Sequence, residues 1–419
     1  MALDPFAGLL VFMENFWIWY KALTPITFLL TFWPVFLIDF VRSVMKSCVL
    51  LIHALYRKLR PIEYDPGYLP KVSLIIPAHN EEAIIVRAIE SALETNYPNK
   101  EIIVVNDGST DKTYQLALPY AKKGEIKLCN RDVASGSKAG ALNYGLFFAS
   151  GDVIVTVDAD TLIERNSLRE LVKPLSDPAF SASSGNVRIL GGEHGASNLI
   201  VKIQAYEYLI SMELGRRFQA LAGTLLIISG AFGAFRKNIV RSIGQYDGDT
   251  ITEDFDITFK LRKLGKRLEF VPEAISWTFA PETWKAWRRQ RVRWTRGQAE
   301  TLWKHRNLFG KQGFDLKLVL SVYDMFFIDI LLLIVRMVWL IALPLMDLPT
   351  FPFVMLLSLV LYMFMELFSI VTAGLLSPRK GDLKYAYLTP LMVLFYRPYY
   401  AFVRVWAYIS WVMKIESRW

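Results

Sequence analysis

Acidic residues cluster at two points where chemistry could be done. VDADT (157–161) sets Asp158 and Asp160 one residue apart. Such a pair can share a divalent cation, Mg²⁺ or Mn²⁺, bridging a diphosphate, because hard ions take oxygen ligands and keep substrate phosphates in their shell. Asp-x-Asp alone is a weak signal, and it recurs at Asp247/Asp249 and Asp254/Asp256. Only the 158–160 copy directly follows strand-like residues and, by pattern, precedes a helix. TITEDFD (250–256) is the second cluster. Read structurally, Thr252 caps a helix whose N-terminal dipole favours Glu253 and Asp254. Read functionally, Asp254 is a general base where an acceptor hydroxyl enters. Lys138, in SGSKAGALN (135–143), opens a helix after small residues. It is either a solvated lysine or a phosphate contact aided by helix N-terminal amides.

QRVRW (290–294) adds the remaining chemistry. An arginine fork can clamp a diphosphate, an indole face can stack on a sugar's CH face, and a glutamine amide offers a donor and an acceptor. Residues 284–311 around it hold nine Lys or Arg, one acid and four Trp. Basic residues mixed with aromatics can indicate nucleic acid. An amphipathic helix at a membrane surface fits better, because apolar runs follow closely; no nucleic-acid partner is expected.

These residues need a frame. KVSLIIP (71–77), EIIVVND (101–107), IKLC (126–129) and DVIVTVD (152–158) read as buried strands. HNEEAIIVRAIESALETN (79–96), with Asn80 as N-cap, and 138–149 read as helices. Strand, helix, strand predicts βαβ units and parallel pairing, hence an α/β class. His79, Asn80, Glu81, Asp107, Asp158 and Asp160 all fall at strand ends. Open α/β sheets bind ligands beyond the carboxyl ends of their strands. Three strands thus deliver polar groups to one edge.

The chain has 419 residues, 53% of them hydrophobic, and a net charge of +9. Its apolar residues concentrate in 5–56 and 317–413. The absence of a basic region before the first apolar run argues against a cleaved signal peptide. Two cysteines and four histidines argue against a disulfide framework or a zinc site. Residues 7–20 and 24–38, then 318–346 and 350–375, read as membrane passes. Arg42, Lys46, Arg57, Lys58 and Arg60 follow the first pair with no acid among residues 41–60, which places the domain after them in the cytosol. Residues 385–413, interrupted by Arg397-Pro398 and Arg404, read either as a span or as a broken interfacial helix. Asp324, Asp329, Arg336 and Glu366 either pair near the membrane faces or line a polar path.

Together VVNDGS (104–109), SKAGALN (137–143), DAD (158–160), TED (252–254) and QRVRW (290–294) resemble the membrane-integrated family 2 glycosyltransferases, the synthases of cellulose, chitin, hyaluronan and poly-N-acetylglucosamine. The motifs occur in family order over residues 70–300. LAGTLLIISGAFGAFRKNIVRSIGQYDGDTITED (221–254) and PETWKAWRRQRVRW (281–294) are most similar to the poly-β-1,6-N-acetylglucosamine group. TED in place of a GDD-like triplet departs from hyaluronan synthases, and the lack of a cyclic-dinucleotide-binding domain departs from bacterial cellulose synthases.

The resemblance implies a Rossmann-like GT-A fold between membrane helices and inverting transfer from a UDP-sugar to a growing polysaccharide. It divides the chain into 1–60 (membrane segments and basic linker), 61–282 (cytosolic catalytic domain), 283–316 (interface helices) and 317–419 (membrane region). By motif match Asp107 and Asp158, with the backbone around Pro77 and with Glu81, hold the nucleotide. Asp160 holds the Mg²⁺ or Mn²⁺; Lys138 and Arg293 touch phosphates. Asp254 is the base, with Glu253 beside it, and Thr252, Gln290 and Trp294 contact the acceptor. The expected location is a multi-pass position in the cell membrane, with a small membrane partner subunit left open. Two other readings compete: transfer of one sugar to a lipid or glycolipid, and a catalytically silent scaffold of an export complex.

Overall fold

The structure, a computed structural model, describes residues 5–192, 195, 197–306, 316–323 and 329–414. One mixed sheet organises the region between the apolar ends. Its strands are β1 (Val72–Ala78), β2 (Lys100–Asp107), β3 (Lys127–Arg131), β4 (Val153–Val157), β5 (Thr161–Ile163), β6 (Phe180–Gly192), β7 (Phe232–Arg236) and β8 (Arg267–Ala280). Their order is β3-β2-β1-β4-β7-β6-β8-β5. β3, β2, β1 and β4 run parallel, as the βαβ reading requires. β7 then pairs antiparallel with both β4 and β6.

Leu74, Ile75 and Ile76 of β1 are wholly buried, as are Ile103, Val104 and Val105 of β2. Helices cover both faces of this parallel half, which is why its strands read as continuous apolar runs. The helix Ile85–Leu93 buries Ile85, Ala88, Ile89 and Ala92 against one face. The helix Lys138–Phe148 buries Leu142 and Leu146 against the other.

Three local expectations are corrected. Asn80 is not a helix cap. Its φ of 57° puts it in the left-handed region, and its Oδ1 accepts from the Thr110 amide at 2.8 Å, so the helix begins only at Ile85. Asp160 is followed not by a helix but by β5, which pairs with β8. Thr252 holds the N-cap position of the helix Glu253–Lys263 without a side-chain capping bond, because its hydroxyl lies 3.3 Å from that of Thr301 instead.

The apolar ends are helical. Pro5–Ala22 is one helix; a second runs from Pro25 through a π-helical stretch (Val35–Met45) to Leu59. Among the described residues one helix, Phe351–Leu376, is long and apolar enough to cross a membrane, while Pro25–Pro34 and Leu332–Met346 are shorter apolar stretches. Residues 389–412 are helical throughout, with a π turn at Met392–Tyr396 leading into Arg397–Val412.

Arg336 and Glu366 in these ends are both paired. Arg336 pairs with Asp39, which also accepts from Tyr362 Oη at 2.6 Å, and Arg397 holds Glu366 at 2.9 Å. Asp324 and the side chain of Asp329 lie outside the described residues.

A buried junction joins the sheet to the end of the long apolar helix Phe351–Leu376. Glu213, fully buried, accepts from Arg188, from Asn186 at 2.9 Å and from Arg217 at 2.6 Å. Arg188 also reaches Asp382 at 3.1 Å, and Arg217 donates to the Leu376 carbonyl at 2.7 Å.

Candidate active site

The ends of β1, β2 and β4 build one side of a cleft. Asp107 closes β2 and is almost wholly buried. Its carboxylate accepts from the Ser135 amide (2.9 Å) and hydroxyl (2.6 Å) and pairs with Arg131 Nε at 3.0 Å. His79 Nδ1 donates to the Asp107 carbonyl at 2.7 Å. Gly108 follows with φ +64°, and a Cβ there would lie 2.3 Å from the Ala134 amide nitrogen, so this turn needs glycine. Asp107 thus pulls the 131–137 loop over the strand ends and delivers Ser137, whose Oγ caps the helix that Lys138 begins. Pro77 is buried within β1, opposite Val105 of β2. Glu81 is half-buried in the following turn, its amide donating to Thr113 Oγ1 at 2.7 Å.

Lys138 brings the two acidic motifs together. Its ammonium pairs with Asp158 on one side and lies 3.0 Å from Glu253 on the other. Burial disfavours its charge, but Asp158, Glu253 and Asp254 outweigh that and hold its pKa well above the usual lysine value. Asp254 comes from the first turn of the helix Glu253–Lys263 and accepts from the Gly230 amide at 3.3 Å and from the Phe255 amide at 2.8 Å. Burial and the neighbouring Glu253 push its pKa up to about 6, against the pull of Lys138. Burial and the Asp158 charge likewise push Asp160 up to about 6.

Asp158 and Asp160 fit a divalent cation. Two close carboxylates, one held toward protonation by the other, gain from a shared positive charge. Among the described residues no cluster of three or more His, Cys, Asp or Glu side chains could hold an ion alone. A carboxylate pair completed by substrate phosphates and water is the usual hard-cation arrangement.

Three residues of this cluster carry no functional signal in sequence. A Cβ at Gly230 would lie 2.9 Å from Lys138 Nζ and 3.3 Å from Glu253 Oε1, so a side chain there would displace the lysine ammonium. Tyr246 is buried beside Glu253, Lys138 and Asp254, and burial first, then Glu253, raises its pKa. Its backbone is clamped by Asn143, which donates to its carbonyl at 2.8 Å and accepts from its amide at 3.1 Å. Arg216 lies within electrostatic reach of Asp254 and donates to the Ile227 carbonyl at 2.8 Å; burial lowers its pKa to about 10, with Asp254 opposing. Only the small-residue stretch SGAFGAF (229–235) marks the glycine in sequence.

QRVRW lies on the 21-residue helix Trp284–Lys304. Trp287, Arg291 and Thr295, four residues apart, are buried along one face, and Lys285, Arg289 and Arg293 are exposed on the opposite side; farther along, Arg296 and Gly297 are buried too. Gly297 meets the start of the TED helix, where a Cβ would lie 2.5 Å from Thr252 Cγ2. Farther on, Lys304 reaches Asp256 at 3.1 Å, and His305 lies 2.7 Å from the same carboxylate. Trp294 lines a cavity of about 260 Å³ with Arg216, Gln219, Gln298, Tyr400 and Arg404. Tyr400 and Arg404 belong to the helix Arg397–Val412, so this helix shares the cavity with Arg216, which feels the charge of Asp254. The structure thus brings Lys138, Asp158, Asp160, Glu253 and Asp254 together, sets Trp294 in a cavity with Arg216 and leaves Arg293 exposed.

Residues 73–244 match the family model described as glycosyl transferase family 2. The chain carries a family 2 glycosyltransferase domain. Poly-β-1,6-N-acetyl-D-glucosamine synthase of Staphylococcus epidermidis is 33% identical over 248 residues, covering 59% of each chain. The same-named protein of Staphylococcus aureus (strain COL) is 34% identical over 235 residues, covering 56% of each. The aligned region therefore spans a little over half the length of these relatives. Among solved structures, the mannosyltransferase PcManGT from Pyrobaculum calidifontis, in complex with GDP-Man and Mn²⁺, superposes with a TM-score of 0.58 at 19% identity, over 92% of this chain and 100% of that one. That likeness identifies the family 2 domain's sheet and helices as GT-A-like.

Proposed function

We propose that the protein is an inverting, processive β-glycosyltransferase that polymerises a UDP-sugar, UDP-N-acetylglucosamine foremost, and passes the polymer across the membrane. The observation that carries this reading is that Arg216, which feels the charge of Asp254, lines one cavity together with Trp294. Tyr400 and Arg404 of the helix Arg397–Val412 line the same cavity. The two Staphylococcus relatives support the sugar.

In this reading Asp107, Asp158, Pro77 and Glu81 hold the nucleotide, while Lys138 and Arg293 face the diphosphate. Asp160 and Asp158 hold Mg²⁺ or Mn²⁺, which when bound offsets charge on the leaving diphosphate. Asp254, poised near neutrality and flanked by Glu253, takes the proton from the acceptor hydroxyl. Trp294, Gln290 and Thr252 seat the terminal acceptor sugar. The reading keeps four units: 1–60 and 317–419 in the membrane as a multi-pass anchor, 61–282 as the cytosolic catalytic domain, and 283–316 between them.

UDP release by detergent-purified protein, with Mg²⁺ or Mn²⁺ and a panel of UDP-sugars, tests the reading when products are also sized. Metal-dependent release with a high-molecular-weight product is expected. A short or lipid-bound product would instead favour single transfer to a lipid. No turnover with any donor, even in native membranes, would favour the scaffold.

A further inference from the structure

Arg291 is one of the largest fully buried side chains in the molecule. A guanidinium removed from water demands defined partners. Its Nη2 lies 2.7 Å from Glu207 Oε2, and its Nη1 donates to Gln290 Oε1 at 2.8 Å. Its central carbon sits 4.4 Å from the ring centroid of Trp294 and 5.6 Å from that of Trp287. The same Glu207 oxygen accepts from Tyr396 Oη at 2.5 Å. Glu207 lies on the helix Leu199–Ile210, and Tyr396 ends the π turn that leads into Arg397–Val412.

We propose that Arg291 is a positioning residue for the acceptor site: it fixes Gln290 and Trp294 together and takes its own orientation from Glu207 and Tyr396. The proposal rests on the reading of Gln290 and Trp294 as acceptor contacts. Two consequences follow from the geometry. The guanidinium covers one face of the Trp294 indole, leaving the opposite face for a sugar ring. It also engages the Gln290 carbonyl oxygen, so the amide presents its NH₂ group. Gln290 then serves the acceptor as a hydrogen-bond donor to a hydroxyl oxygen. A lysine cannot reproduce this arrangement, because a point charge cannot bond Glu207 and Gln290 in one plane while lying flat on an indole.

The test uses the full-length protein in detergent and reads sugar incorporated into polymer per UDP released. Arg291→Lys and Glu207→Gln should each lower that ratio roughly tenfold, because misplacing an acceptor by about an ångström disables transfer more than donor hydrolysis. Tyr396→Phe removes one hydroxyl without opening a cavity and should lower the ratio in the same direction by a smaller factor. If all three variants keep the parental ratio, or lose release and incorporation in parallel, Arg291 is structural only and the proposal fails. Trp294→Ala separates the two readings. If it keeps the parental ratio, the acceptor reading fails, and the proposal with it. If it uncouples while the three do not, only the positioning role fails.

Discussion

Lys138 Nζ lies 3.0 Å from Glu253 and pairs on its other side with Asp158, so one ammonium joins the DAD and TED motifs across the cleft. Its charge lowers the pKa of both Asp160 and Asp254. Lys138→Met should therefore move the acidic limb of the pH–rate profile upward by about one unit, the equivalent of roughly 1.4 kcal/mol. UDP release followed across the neutral range measures it, and an unmoved limb would show that the lysine does not set the base.

Asp254→Asn should reduce transfer by about 10²–10⁴-fold. Calorimetric titration with UDP should give an affinity close to the parent's; a large loss would place Asp254 in nucleotide binding instead. The sign of the pH dependence follows from the group. A base acts as carboxylate, and this carboxyl is held up to about 6 by burial and Glu253. Activity is present above that pH and lost as pH falls through it.

Chelation by EDTA should abolish donor turnover, and added Mn²⁺ should restore it. Because burial and Asp158 hold Asp160 up to about 6, Mn²⁺ affinity should weaken as pH falls through that value and the site protonates. Mn²⁺ binding followed by electron paramagnetic resonance reads this without turnover. Asp160→Asn should weaken binding while removing most of its pH dependence there.

Trp294→Ala should shorten the product and impair elongation more than donor hydrolysis, since the lost indole removes roughly 1 kcal/mol or more of ring contact. Product sizing beside UDP release distinguishes this from a general loss, in which both would fall equally.

Glu213→Ala should destabilise the protein by about 3–5 kcal/mol, because it strands a buried guanidinium at Arg188. Thermal unfolding in detergent checks this. A change below about 1 kcal/mol would mean that Asp382 alone satisfies Arg188.

The parallel half of the sheet was legible because burial on both faces makes its strands continuous apolar runs. The β6–β8 pair in the other half was not. FSASSGNVRILGG is small and polar, and β8 contains Pro272, so neither reads as a long strand. The helix after β1 was misplaced because HNEE looks like a capping sequence, while its asparagine is drawn into the Thr110 loop. The acids were legible through their convergence on strand ends. Gly230 and Arg216 were not, because each acts through contacts with residues distant in sequence, and Arg291 was not, because its orientation is set by the distant Glu207. SKAGALN was only half read: Lys138 was singled out, but Asn143 clamps the loop that leads into TED.

The close approach of Gly297 to Thr252 bears on how this protein can vary. With 2.5 Å between a hypothetical Cβ and Thr252 Cγ2, neither position can change freely. Among descendants of this sequence, a side chain at 297 should arise only after, or together with, a smaller residue at 252. The TED motif and the helix bearing QRVRW would then drift as one inherited unit, with their order of substitution set by a single steric contact.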